Sequence, residues 1–159
     1  MIGIRKARKN EAGSLSDLAM CSKAYWGYST AFMEACRKEL LVTEDMLGNR
    51  SSHYAVAEKQ GALVGFYSLD GVSDSDVELS LFFVAPNYIG SGVGRILFDH
   101  AKCHAKTAGG ITLHIQSDPN AEGFYRAVGA TLIGKRESSS IPGRFLSVFS
   151  ISLTCEHVA

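Results

Sequence analysis

The sequence predicts a mixed α/β domain of about seven strands and about four helices. Three observations carry this reading: short apolar or alternating runs bounded by turn residues, amphipathic stretches of helical period, and the order in which the two kinds interleave. That order is strand, two helices, three strands, helix, strand, helix, two strands. The 159 residues are 46% apolar with only 3 prolines, which is enough to bury one core. No repeat, low-complexity tract or linker interrupts them, so residues 1–159 read as a single domain.

Ile2 and Ile4 alternate with Gly3 and Arg5 as a first strand does, and Asn10 is placed to cap a helix carrying Leu15, Leu18, Ala19 and Ser22. Ser29 or Thr30 caps a second helix, whose Phe32, Met33, Cys36 and Leu40 fall on one face. Residues 53–59 and 62–70 form a hairpin closed by Gln60 and Gly61. Residues 77–84 make a third long strand, nearly continuous in apolar character after Glu78 and therefore expected to be buried on both faces. A glycine-rich loop then feeds a helix with Val93, Ile96, Leu97, Ala101 and His104 as its inner stripe, ended by Gly109 and Gly110. Residues 111–116 read as a strand. Asp118 and Pro119 start the next helix, with Ala121, Phe124, Tyr125 and Val128 as its apolar stripe and Gly129 as its stop. Strands near 130–137 and 145–153 complete the order.

Charge and cysteine usage exclude several function classes. Lys plus Arg number 16 and Asp plus Glu number 16, a net charge of zero, which argues against nucleic acid as a partner. The local cluster of Arg5, Lys6, Arg8 and Lys9 reads as a solvated strand end. No apolar run is long enough for a signal or a membrane span, which points to the cytoplasm and to no membrane partner. Cys21, Cys36, Cys103 and Cys155 form no CxxC pair and read as reduced, partly buried thiols. His100 and His104 share a helix face, but Ala101 stands where a zinc HExxH motif needs Glu, so no metal is expected.

The loop Gly90, Ser91, Gly92, Val93, Gly94, Arg95 lies between a strand and a helix N-terminus. Free amides and the helix dipole at such a place favour an anion, and glycines let a phosphate reach the amides. A nucleotide-hydrolysing P-loop needs a Lys that is absent. A GxGxxG dinucleotide loop fails at Arg95 when counted from Gly90 and at Leu97 when counted from Gly92. Glycines that merely allow close helix packing are the plain structural alternative.

Three segments together resemble the Gcn5-related N-acetyltransferase (GNAT) family: ELSLFFVAP from Glu78 to Pro86, GSGVG from Gly90 to Gly94, and DPNAEGFYRAVGA from Asp118 to Ala130. Ile89 departs from the Gln or Arg usual before the first of these glycines. The resemblance implies a mostly antiparallel central sheet and acetyl-CoA as cofactor, its diphosphate on the Gly90–Gly94 amides and Arg95. It also implies a pantetheine arm held by backbone around Phe82, Phe83 and Val84, with Asp118, Asn120 and Phe124 close by, and a homodimer as the common assembly.

The chemistry sets further expectations. An amine of pKa about 10.4 must lose a proton before it attacks a thioester, and Glu78 is the candidate base, effective only if burial raises it. Its alternative reading is a surface carboxylate at a strand end. Tyr125 is the candidate acid for the departing thiolate, against a core tyrosine. His114 reads as a satisfied core histidine. The acceptor pocket implied by the resemblance is supplied by Trp26, Tyr28, Ser139 and Arg144, which suits a small-molecule primary amine; a packed aromatic cluster with a capping Arg is the alternative reading of the same residues. The function expected is therefore acetyl transfer from acetyl-CoA to such an amine, by direct attack in a ternary complex. A protein N-terminal or lysine acetyltransferase and a non-catalytic acyl-CoA sensor are the alternatives, and an oxidoreductase built on the glycine loop alone is more distant.

Overall fold

The computed structural model describes residues 1–154. Its strands form one seven-stranded sheet in the order β1-β2-β3-β4-β5-β7-β6. They are β1 (Gly3–Lys6), β2 (Ser52–Lys59), β3 (Ala62–Asp70), β4 (Asp76–Val84), β5 (Thr112–Ser117), β6 (Thr131–Glu137) and β7 (Phe145–Ser152). All neighbours are antiparallel except β4 and β5. The helices are α1 (Ala12–Ala24), α2 (Thr30–Leu40), α3 (Glu44–Leu47), α4 (Val93–Thr107) and α5 (Glu122–Ala127).

The predicted element order holds, with one short helix added. Thr43 caps α3 by accepting from the Met46 amide, and four residues are too few to show a period. Ser29 caps α2 as expected, accepting from the Phe32 amide. Asn10 does not cap α1. It lies in a single 3-10 turn, Lys9–Glu11, in which the Glu11 carboxylate accepts the Arg8 amide at 2.8 Å. The hairpin at Gln60 and Gly61 closes with φ of 52° and 80°, the primed turn that matches strand twist.

Two cores cover the sheet's faces. One packs Val93, Leu97, Phe98 and Ala101 of α4, with Tyr125 and Val128, against Tyr67, Leu69, Val77 and Leu79. The other packs Leu15 and Ala19 of α1 and Met33, Cys36 and Leu40 of α2 against Val56, Phe66 and Leu81. The stripe of α4 is rotated from expectation. Phe98 and Ala105 are fully buried, whereas Ile96 is exposed. His104 lies only part-buried at the helix edge.

The central strand departs most from its expected burial. Leu79 faces Leu69 and Leu81 faces Ser68, so Ser80 is an extra residue, a bulge. The bulge reverses side-chain parity: Val77 and Leu79 pack in the α4 core, Leu81 in the α1–α2 core. Beyond it Phe82 and Val84 turn to the α4 side and Phe83 to the other. These three are only part-buried, because the strand leaves β5 there rather than running through a covered sheet.

At the sheet edge Arg5 is not a solvated strand end. It bonds Glu11 through two nitrogens, at 2.7 and 2.9 Å, and Glu58 through Nε at 2.9 Å. The guanidinium, aided by the Arg8 amide, holds the Glu11 carboxyl down to about 2. A depressed folded-state pKa stabilises above the ordinary value of 4.5 and is lost as pH falls through the folded one. The stability difference between the native chain and Glu11→Gln is therefore expected to hold near neutral pH and to shrink between pH about 4.5 and about 2, as read by thermal melts across that range. On β3, a Cβ at Gly65 would meet Leu97 Cδ1 at 2.7 Å and the Phe83 carbonyl at 2.9 Å. Gly65→Ala should therefore lower stability by about 1–3 kcal/mol, measured by urea unfolding.

Candidate active site

The site begins where β4 and β5 part. Their parallel ladder runs from Asp76/Thr112 to Leu79/Ile115 and ends at the bulge, while β5 continues to Ser117 along β7. The Ala85 amide bonds the Val64 carbonyl at 2.8 Å on the β3 side. By strand alternation Phe83 also points its N–H to β3, and the amides of Phe82 and Val84 face the gap. The gap opens into a cleft of about 710 Å³.

One end of the cleft is the glycine loop. Gly90 and Gly92 have φ of 82° and 94°, and nothing lies within 4 Å of where a Cβ would stand at either. The Ser91 amide is tied to the Tyr88 carbonyl at 3.1 Å. The amides of Gly90, Gly92, Val93, Gly94 and Arg95 make no backbone bond among the described residues, so they form an open cradle at the start of α4. Gly94 serves packing instead: a Cβ there would press on Phe124 at 3.3 Å. Open cradle, splayed strands and an elongated cleft fit coenzyme A, a diphosphate joined to an amide-rich arm.

The middle of the cleft is aromatic. Phe82 stacks on Phe124 at 5.6 Å and lies 6.2 Å from the Tyr125 ring. Tyr125 lines the cleft while 5% exposed, and its hydroxyl has no hydrogen-bond partner among the described residues. Burial, then the charge of Asp118, pushes this hydroxyl above its ordinary value, so it keeps its proton.

Glu78 and Ser80 line the cleft toward the open face of β4 and β5. Glu78 receives Arg136 Nη1 at 3.3 Å, and its side chain is 44% exposed. These are the surroundings of its alternative reading, a surface carboxylate. His114 likewise is not a satisfied core histidine; it lies part-exposed opposite Glu78, with Nε2 at 3.4 Å from Asp76.

Of the residues predicted for the site, Phe83, Ile89, Arg95, Asp118, Asn120, Trp26 and Ser139 also line the cleft. Ser91, Val93, Tyr28 and Arg144 do not. Val93 is buried in the α4 core. Tyr28 and Arg144 are spent on one another: Arg144 Nη2 donates to the Tyr28 hydroxyl at 3.0 Å, and that hydroxyl donates to Asp118 at 2.7 Å. Lys23 Nζ and Arg144 Nη2 each lie 3.4 Å from the same carboxylate oxygen. Burial alone would raise Asp118, but the Asn120 amide, Tyr28 and Lys23 outweigh it and leave the carboxyl below its ordinary range. The Tyr28 hydroxyl is pushed up to about 12 by burial and by Asp118. Lys23, Glu39, Ser80, Tyr88 and Gln116 line the cleft without having been expected there.

An acetyltransferase (GNAT) domain model matches residues 14–139. The chain belongs to the GNAT family. A Bacillus subtilis protein, described as a candidate ribosomal protein bS18-alanine N-acetyltransferase, is 32% identical over 97 residues, 59% of this chain and 64% of the relative. The chain therefore spans just under two thirds of that relative's length. A peptidyl-lysine N-acetyltransferase of Salmonella typhimurium is 29% identical over 139 residues, 86% of this chain and 88% of its own. Among solved structures, PaiA N-acetyltransferase from Thermoplasma acidophilum in complex with coenzyme A superposes with a TM-score of 0.79 at 19% identity, covering 96% and 99% of the two chains. That last likeness is one of fold.

The cradle yields a direct expectation. Gly92→Asp places a carboxylate and a strained left-handed residue at the anion site, and should abolish the rise in melting temperature that coenzyme A gives the native chain.

Proposed function

We propose that this GNAT domain, residues 1–159, transfers the acetyl group of acetyl-CoA to a primary amine by direct attack in a ternary complex. The observation that carries the reading is the splay itself: inward amides on one strand, an open glycine cradle at one end and a protonated tyrosine in the wall of the same cleft. Acetyl-CoA supplies an activated thioester, and the chain's residues do the rest. The Gly90–Gly94 loop and Arg95 bind the diphosphate, and the Phe82 and Val84 amides orient the arm and accept charge building on the acetyl oxygen. Tyr125 gives its proton to the departing sulfur, and the proton that the attacking nitrogen loses passes to water, which returns one to Tyr125. Glu78 has the lesser part, since an exposed, Arg-paired carboxylate lacks the burial that makes a strong base.

The acceptor reading begins with a small amine, supported by the exposed aromatic surface that Trp26 contributes to the cleft lining. A protein amine is the second reading, favoured by the names of both relatives, which refer to ribosomal alanine and to lysine. The cytoplasm and a homodimer remain part of the proposal.

Thiol release is measured with acetyl-CoA against small alkylamines, aminoglycosides and peptides with a free N-terminal or lysine amine. Turnover with one class and not the others assigns the acceptor. Tyr125→Phe should lower kcat about 10²-fold or more with coenzyme A affinity nearly unchanged, whereas Glu78→Gln should cost less than about tenfold. An acyl-CoA sensor would bind and release no thiol with any amine.

A further inference from the structure

A second cavity, about 500 Å³, lies away from the cleft, between the end of β1, the loop after α3 and the last turn of α4. His104 stands 11 residues (104 − 93) beyond the start of α4, about 16 Å from the glycine loop along the helix. The walls present Lys6, Lys9, Arg50, His53 and His104 and contain no carboxylate. In a chain of zero net charge this is a concentrated local excess. Arg5, Lys23, Arg136 and Arg144 all pair with carboxylates; Lys6, Lys9 and Arg50 pair with none among the described residues. Gly48 keeps the rim open for Lys9, whose Nζ lies 3.5 Å from where a Cβ at Gly48 would be.

The imidazoles form the cavity's inner wall. His53 and His104 stack with centroids 3.6 Å apart and planes 5° apart. The groups facing His53 are Lys6 from β1, Tyr67 from β3, and His100 and His104 from α4. Asp70, at the end of β3, is occupied by the hydroxyls of Ser52 and Ser80. Burial, then His104, His100 and Lys6, holds His53 down to about 4, so the stack is neutral at pH 7 and the cations stand uncompensated. Burial, then His100, holds His104 down as well, against the C-terminal dipole of α4, and an anion in the cavity would reverse that balance.

We propose that this cavity binds a phosphate monoester dianion, free or as a small nucleotide, through Lys6, Lys9 and Arg50 and a proton taken up by the His53–His104 stack. Three oxygens on one centre give an acceptor to each of the cations that two chain segments, residues 6–9 and residue 50, bring to one cavity, and the volume admits a nucleoside monophosphate. The neutral chain favours a small ligand over a nucleic-acid strand.

The test is a titration of the full chain with inorganic phosphate, with AMP and, as a control, with a short RNA oligomer, read on the ring carbon–proton resonances of His53 and His104. Both resonances should shift saturably, with AMP binding more tightly if a nucleotide is the ligand and phosphate at least as tightly if it is not. Lys9→Glu with Arg50→Glu should weaken binding about tenfold or more. Sulfate, dianionic from pH 8 to 6, should bind more tightly as pH falls, because the protein supplies the proton. Should the double variant fail to melt cooperatively, Lys6→Gln replaces it with a smaller loss in the same direction. The proposal is overturned by shifts that do not saturate with either probe, by a folded variant that binds as the native chain does, or by shifts seen only with an RNA oligomer.

Discussion

The parting of β4 from β5 is the constraint on which the rest of the site depends. A parallel pair of strands held throughout its length would consume the amides of Phe82 and Val84. The extra residue at Ser80 bends β4 away after four paired positions and leaves those amides to be met by water or by a ligand. An amide left without either would cost about 1–3 kcal/mol, so the gap is stable only as a wetted or filled cleft. The same bulge passes Leu81 to the α1–α2 core and turns Phe82 toward Phe124 and Tyr125. One inserted residue thus shapes the arm-binding edge and also brings the tyrosine to it.

The glycine loop works within that geometry. Because Phe124 needs the space a Cβ at Gly94 would take, the loop is pressed against the aromatic wall, and the cradle lies in line with the splayed edge. On the proposed reading, anion recognition is a matter of oriented amides and a helix end, by which a chain with balanced charge would hold a ligand with several phosphates.

Much of this was legible in the residues. The seven strands, the longer helices and the hairpin at Gln60 follow from period and turn chemistry, and the glycine loop announces itself by composition. The bulge was not legible: Val77, Leu79, Leu81 and Phe83 alternate in the sequence as though parity never changed, and only the register against β3 reveals the inserted Ser80. Long-range polar contacts were hidden for a similar reason. Arg5 meets Glu58 across 53 residues, and Arg144 meets Tyr28 across 116, separations at which spacing carries no signal. Residue type left Tyr28 and Arg144 open between ligand-binding groups and a packed aromatic with a capping Arg, and their bonds to one another and to Asp118 are the contacts of the second reading.

That structural role bears on where acceptor selectivity can reside. Asp118 gathers Lys23 from α1, Tyr28 from the turn before α2 and Arg144 from the loop before β7, while its other oxygen caps the turn leading to α5. Arg144 also lies 4.8 Å over Phe32, so the loop before β7 is fastened to α2 by charge and by ring contact together. Part-buried charges coupled this closely are costly to separate, since removing one leaves the others unpaired. A substrate cannot borrow Arg144 or Tyr28 without opening that network. On the proposed reading, the groups left to contact an incoming amine line the cleft outside that network: Trp26, Glu39 and Ser139, the last donating to Glu39, and Glu78 and Gln116, which both accept from Arg136. Two of these five are carboxylates, and an attraction for a cationic amine is what their placement supplies.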